Sequence, residues 1–329
     1  MGLEIFFIGL NQIGASIGVA LADQQLEMRR VGYDSDGQQA RRVRQAGAVD
    51  HLVSHPRKAS EVADVVVLST PTVEVRDYLE MLGAKLKPNA VVLDTSPLKV
   101  PSAAWAEELV PEDRHYIGIT PIVGPAALLT EVPDHQVPSA DLFHGGLMAI
   151  VIPPKTPEFA VTVALRFAAI LGATPFFIDP VEHDAVIATV EELPSLISAT
   201  LMNMAAEAKN WRELQRMAGS LFVNATQFHP PQTPKIWGTT LYLNREIVLT
   251  RIDALSEELQ RLRALIAAED SKALIDYLTK ATTTRDAWLT IRQHGDWAGQ
   301  EFQLVKTVEK SGFLSSLFGI KPRRPKERK

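Results

Sequence analysis

Cysteine is absent from all 329 residues, which excludes disulfides, thiolate metal sites and cysteine nucleophiles. No apolar run approaches the ~18 residues of a membrane span. The opening residues pass straight into a strand without a basic signal region, so no membrane partner is expected and a cytoplasmic location is the default. Internal repeats are missing, and beyond Pro180 no convincing strand pattern is found. With 46% hydrophobic and 22% charged residues, the composition is that of an ordinary globular chain long enough for two cores. The net charge of −5 hides an asymmetry: Lys321 to Lys329 hold six basic residues and one acidic, +5, leaving −10 for the rest. A tail of this kind is expected to be a solvated, disordered terminus, and no nucleic-acid partner is assigned to it.

The stretch Leu3 to Gly18 organises what is present. Ile5 to Ile8 is a short apolar run that reads as a buried strand, broken at Gly9. Helical spacing then resumes through Ile13, Ile17 and Leu21. A strand, a glycine turn and a helix start place backbone N–H groups and a positive dipole end under a pyrophosphate. A second strand, Val31 to Tyr33, ends in Asp34, twenty residues after Gly14. A carboxylate there accepts both hydroxyls of an adenosine ribose and repels a 2′-phosphate, so the expected cofactor is NAD. Gly9, Asn11, Gln12, Ile13 and Gly14 form the expected phosphate turn. Asn11 stands where the fingerprint has its middle glycine, and asparagine tolerates a left-handed backbone best among the alternatives.

Strand-like and helix-like segments then alternate. Ala63 to Leu68 is a strand closed by Ser69-Thr70-Pro71, at the edge where such sheets bind ligands. Further strands are Ala90 to Asp94, Tyr116 to Ile119, Leu147 to Ile152 and Thr174 to Ile178. The pattern predicts an α/β fold, a Rossmann-type doubly wound parallel sheet over residues 1–179. An all-helical domain follows over 180–300, with a C-terminal extension over 301–329. Pro194 is expected to kink the helix from Val181 to Lys209. Val248, Ile252, Leu255, Leu259, Leu262 and Ile266 recur at steps of four and three, a heptad seam that suits packing within a helical domain or between two copies, of which a homodimer is the expectation.

Several of these motifs resemble those of the prephenate and arogenate dehydrogenase family. Gly9-Leu10-Asn11-Gln12-Ile13-Gly14 resembles its nucleotide turn, and Asp94-Thr95-Ser96-Pro97-Leu98-Lys99 its aspartate-to-lysine loop. Thr120-Pro121-Ile122-Val123-Gly124 stands where the family has a histidine before the same proline and glycine. Glu182-His183-Asp184 and Glu191-Glu192-Leu193-Pro194-Ser195 resemble the opening of its helical domain, with Trp237 and Asn244-Arg245 as later landmarks. The resemblance implies oxidation of prephenate to 4-hydroxyphenylpyruvate with loss of carbon dioxide, on the route to tyrosine, or action on a related small carboxylate. It also implies NAD bound through Asp34, Ser69, Thr70, Pro71 and Asp94 as well as the turn.

The departures fall on the chemistry. Thr120 replaces the family's catalytic histidine, Pro97 its active-site serine beside Ser96, and Gln227 the arginine that holds the substrate carboxylate. Glu192 and Ser195 replace two histidines. Threonine cannot accept a proton near neutral pH, and losing a general base costs ~10²- to 10⁴-fold in rate. The candidate catalytic residues are therefore Thr120, Lys99, Ser96 and His144, and the candidate substrate contacts Gln227, Glu192 and Ser195. His115 begins the strand that Thr120 ends, about 16 Å away at the wrong edge. His51 and His55 have helical metal-ligand spacing, but Pro56 and the lack of a third ligand argue against a metal. A related dehydrogenase with another substrate and a silent nucleotide-binding scaffold are the competing functions.

Overall fold

The computed structural model describes residues 2–22, 24, 27–128, 137–227 and 233–295. The basic tail and the 301–329 extension lie outside them. The chain divides into two compact units, Met1–Pro180 together with the segment from Arg285, and Val181–Thr284. The helical domain expected to run to residue 300 thus gives its last described turns, from Arg285, to the first unit.

The first unit is built on one eight-stranded sheet: β1 (Leu3–Ile8), β2 (Met28–Tyr33), β3 (His51–Leu52), β4 (Val65–Leu68), β5 (Val91–Asp94), β6 (His115–Pro121), β7 (Leu147–Val151) and β8 (Thr174–Phe177). Their order is β3-β2-β1-β4-β5-β6-β7-β8. The first six run parallel, while β7 pairs antiparallel with β6 and carries β8 along with it. The doubly wound sheet expected from the sequence is present, with this reversed pair at one edge. Strand β3 escapes sequence detection because two residues carry no periodicity.

Both faces of the central strands are covered, which is why they read as unbroken apolar runs. Ile5 and Phe7 enter one core with Val65, Val67, Val91 and Leu93. Phe6 and Ile8 enter the other with Val66, Leu68 and Val92. The chain reverses direction of winding between β1 and β4, and the crevice at their carboxyl ends is the switch point of such sheets.

The second unit is helical. Helix Pro180–Ile187, a π-helical turn Ala188–Glu192 and helix Leu193–Ala206 run on without interruption. The kink expected at Pro194 takes the form of this π turn: proline lacks an N–H and its ring crowds the carbonyl four residues back, and the wider turn accommodates both. The continuous stretch Pro180–Ala206 is long and apolar enough, by length and composition alone, to cross a membrane. This corrects the sequence expectation that no segment is, although Glu191 and Glu192 interrupt it midway. Along helix Arg245–Ala267 the heptad seam splits. Val248, Leu255 and Leu262 are buried or half-buried, whereas Ile252, Leu259 and Ile266 are exposed.

Close packing at the crevice makes a sharp prediction. A Cβ on Gly14 would lie 2.6 Å from the Gly9 carbonyl oxygen and 2.9 Å from Ser69 Cβ. One on Gly37, at the start of a surface helix, would approach only the tip of Arg41 at 3.5 Å. Gly14→Ala is expected to lower stability in urea titration by about 1–3 kcal/mol, and Gly37→Ala to change it by less than about 0.5 kcal/mol.

Candidate functional site

The turn after β1 is shaped by Gly9, whose φ of 83° belongs to the left-handed region. A Cβ there would also sit 2.1 Å from the Ser69 carbonyl oxygen, so glycine is required twice over. Asn11 is not left-handed, contrary to expectation: the positive φ falls on Gly9, and Asn11 caps the helix Gln12–Ala22 instead. Its Oδ1 accepts from the Gly14 amide at 3.0 Å and from Ser69 Oγ at 2.8 Å, while its Nδ2 donates to the Ser69 carbonyl at 2.9 Å. With the Gly14 amide taken by that cap, Gln12 and Ile13 at the first turn keep amides that have no partner within the helix.

Asp34 lies half-buried at the end of β2. One carboxylate oxygen accepts from the Leu10 amide at 2.7 Å and the other from the Asp36 amide at 2.8 Å, which aims the group at the glycine turn. Glu74, in the first turn of helix Thr72–Leu82, has its carboxyl pushed up by burial and by the charges of Asp34 and Asp77. Tyr78, one turn further, is pushed up to about 12 by burial and the same carboxylates. Three carboxylates, those of Asp34, Glu74 and Asp77, thus share the corner beyond β2. Ser69 and Thr70 are buried, Pro71 half-buried, and Thr70 Oγ1 is a buried hydroxyl with no hydrogen-bond partner. A glycine-shaped cradle, a helix start, a ribose-level carboxylate and an orphaned hydroxyl fit a dinucleotide.

The loop after β5 corrects several expectations. Asp94 is fully buried: its oxygens accept from the Ser96 amide (2.8 Å), Ser96 Oγ (2.8 Å) and Tyr116 Oη (2.7 Å). The side chain therefore braces its own turn and is not offered to a cofactor. Lys99 is fully buried as well, donating to the carbonyls of Asp94 (2.8 Å) and Ser96 (2.6 Å), with its ammonium 4.0 Å from Asp94 Oδ2. Its stem fills the space over Gly118, where a Cβ would come within 2.9 Å of Lys99 Cδ. Ser96 is 1% exposed. Lys99 and Ser96, expected as catalytic groups, are the internal frame of the loop, because an aspartate-capped turn must neutralise and satisfy its buried carboxylate. Thr95 Oγ1, which sequence inspection passed over, donates to Ser69 Oγ at 3.0 Å and ties this loop to the neighbouring one.

Thr120 is half-buried near the end of β6, paired with Ala149 of β7. His144 is exposed at the same edge of the sheet but lies against Gly172, before β8, where a Cβ would stand 2.5 Å from its Nδ1. Strand β7 lies between β6 and β8; the main chain of His144 passes beside Gly124, in the loop after β6, while its ring is turned to Gly172 before β8. Buried Arg292 donates to the Val123 carbonyl at 3.0 Å, fastening the end of the chain's last described helix to the loop after β6. Nothing in the sequence pattern pointed to it.

In the helical unit Glu192 is 7% exposed, and its Oε2 accepts from Asn244 Nδ2 at 2.9 Å. Burial pushes its carboxyl up to about 7, against the Asn244 bond and with help from Asp184 and Glu191. Ser195 Oγ donates to the Glu191 carbonyl at 3.0 Å, so it serves the π turn. His183 Nδ1 and Asp184 Oδ1 lie 2.9 Å apart, both buried, ordering the first helix. Gln227 is exposed after helix Ser220–Ala225, unlike buried Glu192 and Ser195. His51 lies on β3 and His55 precedes helix Pro56–Ser60, so the two do not share a helix face.

A doubly wound sheet with this turn, followed by a helical unit, defines the class of two-unit nucleotide-binding dehydrogenases. Within it, the nucleotide-binding domain of prephenate dehydrogenase matches residues 17–173, and the dimerization domain of prephenate dehydrogenase matches residues 179–280. The chain belongs to the prephenate dehydrogenase family. It is 24% identical to the prephenate dehydrogenase of Bacillus subtilis over 320 residues, covering 96% of this chain and 84% of that one. It is 23% identical to the cyclohexadienyl dehydrogenase of Zymomonas mobilis over 289 residues, 87% and 96% of the two chains. The crystal structure of prephenate dehydrogenase from Aquifex aeolicus, in complex with hydroxyphenyl propionate and NAD+, shares the fold with a TM-score of 0.77 at 21% identity, over 88% of this chain and 99% of that one. Synechocystis arogenate dehydrogenase gives 0.69 at 22% identity, over 87% and 100%.

The Glu192 carboxyl predicts a pH signature. It binds its proton to about pH 7 when folded and only to about 4.5 when unfolded. Between those values the folded state holds more protons, so stability falls as pH rises through the window, by roughly 3 kcal/mol in all. Urea titrations at pH 4.5, 6 and 8 are expected to show this decline, and Glu192→Gln, neutral throughout, to flatten it.

Proposed function

We propose that this protein is an NAD-dependent dehydrogenase acting on prephenate or a closely related cyclohexadienyl carboxylate, with an altered active site. The observation that carries the proposal is the switch-point crevice, where Gly9, the start of helix Gln12–Ala22, Asp34 and the orphaned Thr70 hydroxyl converge. The amides of Gln12 and Ile13 would hold the pyrophosphate, Asp34 the ribose hydroxyls, and Ser69, Thr70 and Pro71 the wall beside it. Bound there, the nicotinamide supplies the two-electron acceptor. Asp34 and Glu74 together disfavour a 2′-phosphate, since like charges a few ångströms apart repel strongly at a half-buried site.

The chain's own residues alter the rest of the chemistry. Thr120 can orient a hydroxyl but cannot take its proton at neutral pH. Glu192 holds a carboxyl whose proton exchanges near neutrality, the range suited to acid–base work. A homodimer is part of the proposal. Ile252, Leu259 and Ile266 repeat every seven residues along one exposed line of helix Arg245–Ala267, with Leu249 beside them 54% exposed. An apolar stripe of that spacing suits a second helix, and the family model over this unit is that of a dimerization domain.

Quenching of intrinsic fluorescence by NADH tests the cofactor. NADH is expected to saturate the protein at micromolar concentration and NADPH to bind at least tenfold more weakly. Asp34→Asn should narrow that difference. Absence of NADH binding would remove the dehydrogenase assignment and leave a nucleotide-free scaffold.

A further inference from the structure

Helices Thr72–Leu82 and Val100–Leu109 send Val75, Leu79 and Ala106 into the core on the Phe6 side of the sheet. The opposite face receives Leu142 and Phe143, in one core with Ala15 and Ile17 of helix Gln12–Ala22. These two residues anchor residues 137–146, the arm by which the chain returns to β7. Upstream of them the arm is exposed at Val137, Ser139 and Asp141, and one hydrogen bond fastens it to the helix: the Ser139 amide donates to Ser16 Oγ at 3.1 Å. Ser16 is fully buried, two residues after Gly14 and four after Gln12. By α-helical pairing its own amide bonds back to the Gln12 carbonyl. Gln12 also offers its amide to the pyrophosphate site, so a phosphate held there stiffens the turn that carries Ser16. Downstream, the Leu142 carbonyl accepts from the Gly124 amide and the Leu147 carbonyl from the Ile122 amide, both at 2.8 Å. A Cβ on Gly124 would lie 2.0 Å from the His144 carbonyl oxygen. The arm is thus packed directly on the segment that follows Thr120.

We propose that residues 137–146 form a nucleotide-sensitive strap, latched by the bond from the Ser139 amide to Ser16 Oγ, that carries the ordering of helix Gln12–Ala22 by a bound dinucleotide to the chain beyond Thr120. This rests on the nucleotide binding proposed above. The coupling is entropic. An exposed arm with a single upstream bond opens at low cost, and each opening breaks that bond. A pyrophosphate on the Gln12 and Ile13 amides restricts the turn holding Ser16, so the latch is made for a larger share of the time. A second ligand beside Thr120 then meets a strap already ordered and binds at lower entropic cost. By linkage, a ligand that orders the strap raises the affinity for the dinucleotide by the same factor. The donor is a main-chain amide and the acceptor a side chain, so each end of the latch can be removed without the other.

Hydrogen–deuterium exchange on the full chain, with NADH as the probe and peptides covering residues 137–146 as the readout, tests this. In the parent protein saturating NADH is expected to slow exchange of the strap amides by about fivefold or more. Ser16→Ala removes the acceptor and Ser139→Pro the donor, and in each variant NADH should leave the strap rates unchanged. Both should still bind NADH, with a loss of affinity no larger than the slowing seen in the parent, since the coupling is reciprocal. Ser139→Ala keeps the amide and loses only the Oγ bond to the Asp141 amide, so the full slowing should remain. Peptides from helix Gln12–Ala22 in the same digests report whether each variant is folded there. Strap rates that ignore NADH in the parent, slowing that survives Ser16→Ala or Ser139→Pro, or slowing lost in Ser139→Ala would overturn the inference. NADH titration of the same samples judges the nucleotide site separately: binding without slowing removes the strap alone, and no binding by the parent removes both.

Discussion

A line of hydrogen bonds joins the carboxyl ends of three adjacent strands, and the nucleotide crevice depends on it. Asn11 Oδ1, Ser69 Oγ and Thr95 Oγ1 link the loops after β1, β4 and β5 at spacings of 2.8 and 3.0 Å. Each loop alone is a flexible turn; tied together they form a rigid rim. The asparagine that departs from the glycine fingerprint is thereby explained. It gives up close backbone approach at one position and gains a helix cap and a cross-strand anchor, exchanges of about 1 kcal/mol each. Gly9 absorbs the conformational strain, so Asn11 need not be left-handed.

Behind that rim lies a second polar cluster, fully enclosed. Asp94, Ser96, Tyr116 and Lys99 satisfy one another, and Gly118 leaves room for the lysine stem. Removing one member would leave a buried charge exposed to apolar surroundings, which is far costlier than never having built the cluster. Such a network maintains loop shape. The two corners in which carboxyls are raised by burial, around Glu74 and around Glu192, are different in kind, because their charge is incompletely met by the protein. One belongs to the first unit and the other to the helical unit.

The helical unit combines two demands on one surface. The seam of helix Arg245–Ala267 sends Val248 into its own unit and leaves Ile252, Leu259 and Ile266 outside. A heptad pattern marks both sets identically, since the spacing does not say which partner each side chain meets. The π turn before Pro194 has a similar double origin: it accommodates a proline and brings Glu192 to Asn244.

By itself the sequence determined the α/β architecture, the position of the nucleotide turn and the family. These rest on local periodicity, glycine stereochemistry and short motifs, all of which act within a few residues. Tertiary structure alone decided which polar side chains face inward. Lys99, Ser96 and Asp94 look like site residues in one dimension, yet Tyr116 and Gly118, on the adjacent strand, close them off. The ring of His144 is turned to Gly172, before β8, by the pairing of the reversed strands β7 and β8, a register that no motif encodes. Arg292 and Val123, and Asn244 and Glu192, meet across long separations in the chain. Burial and charge at such meetings depend on packing between distant segments, and that is why the chemistry was less legible than the fold.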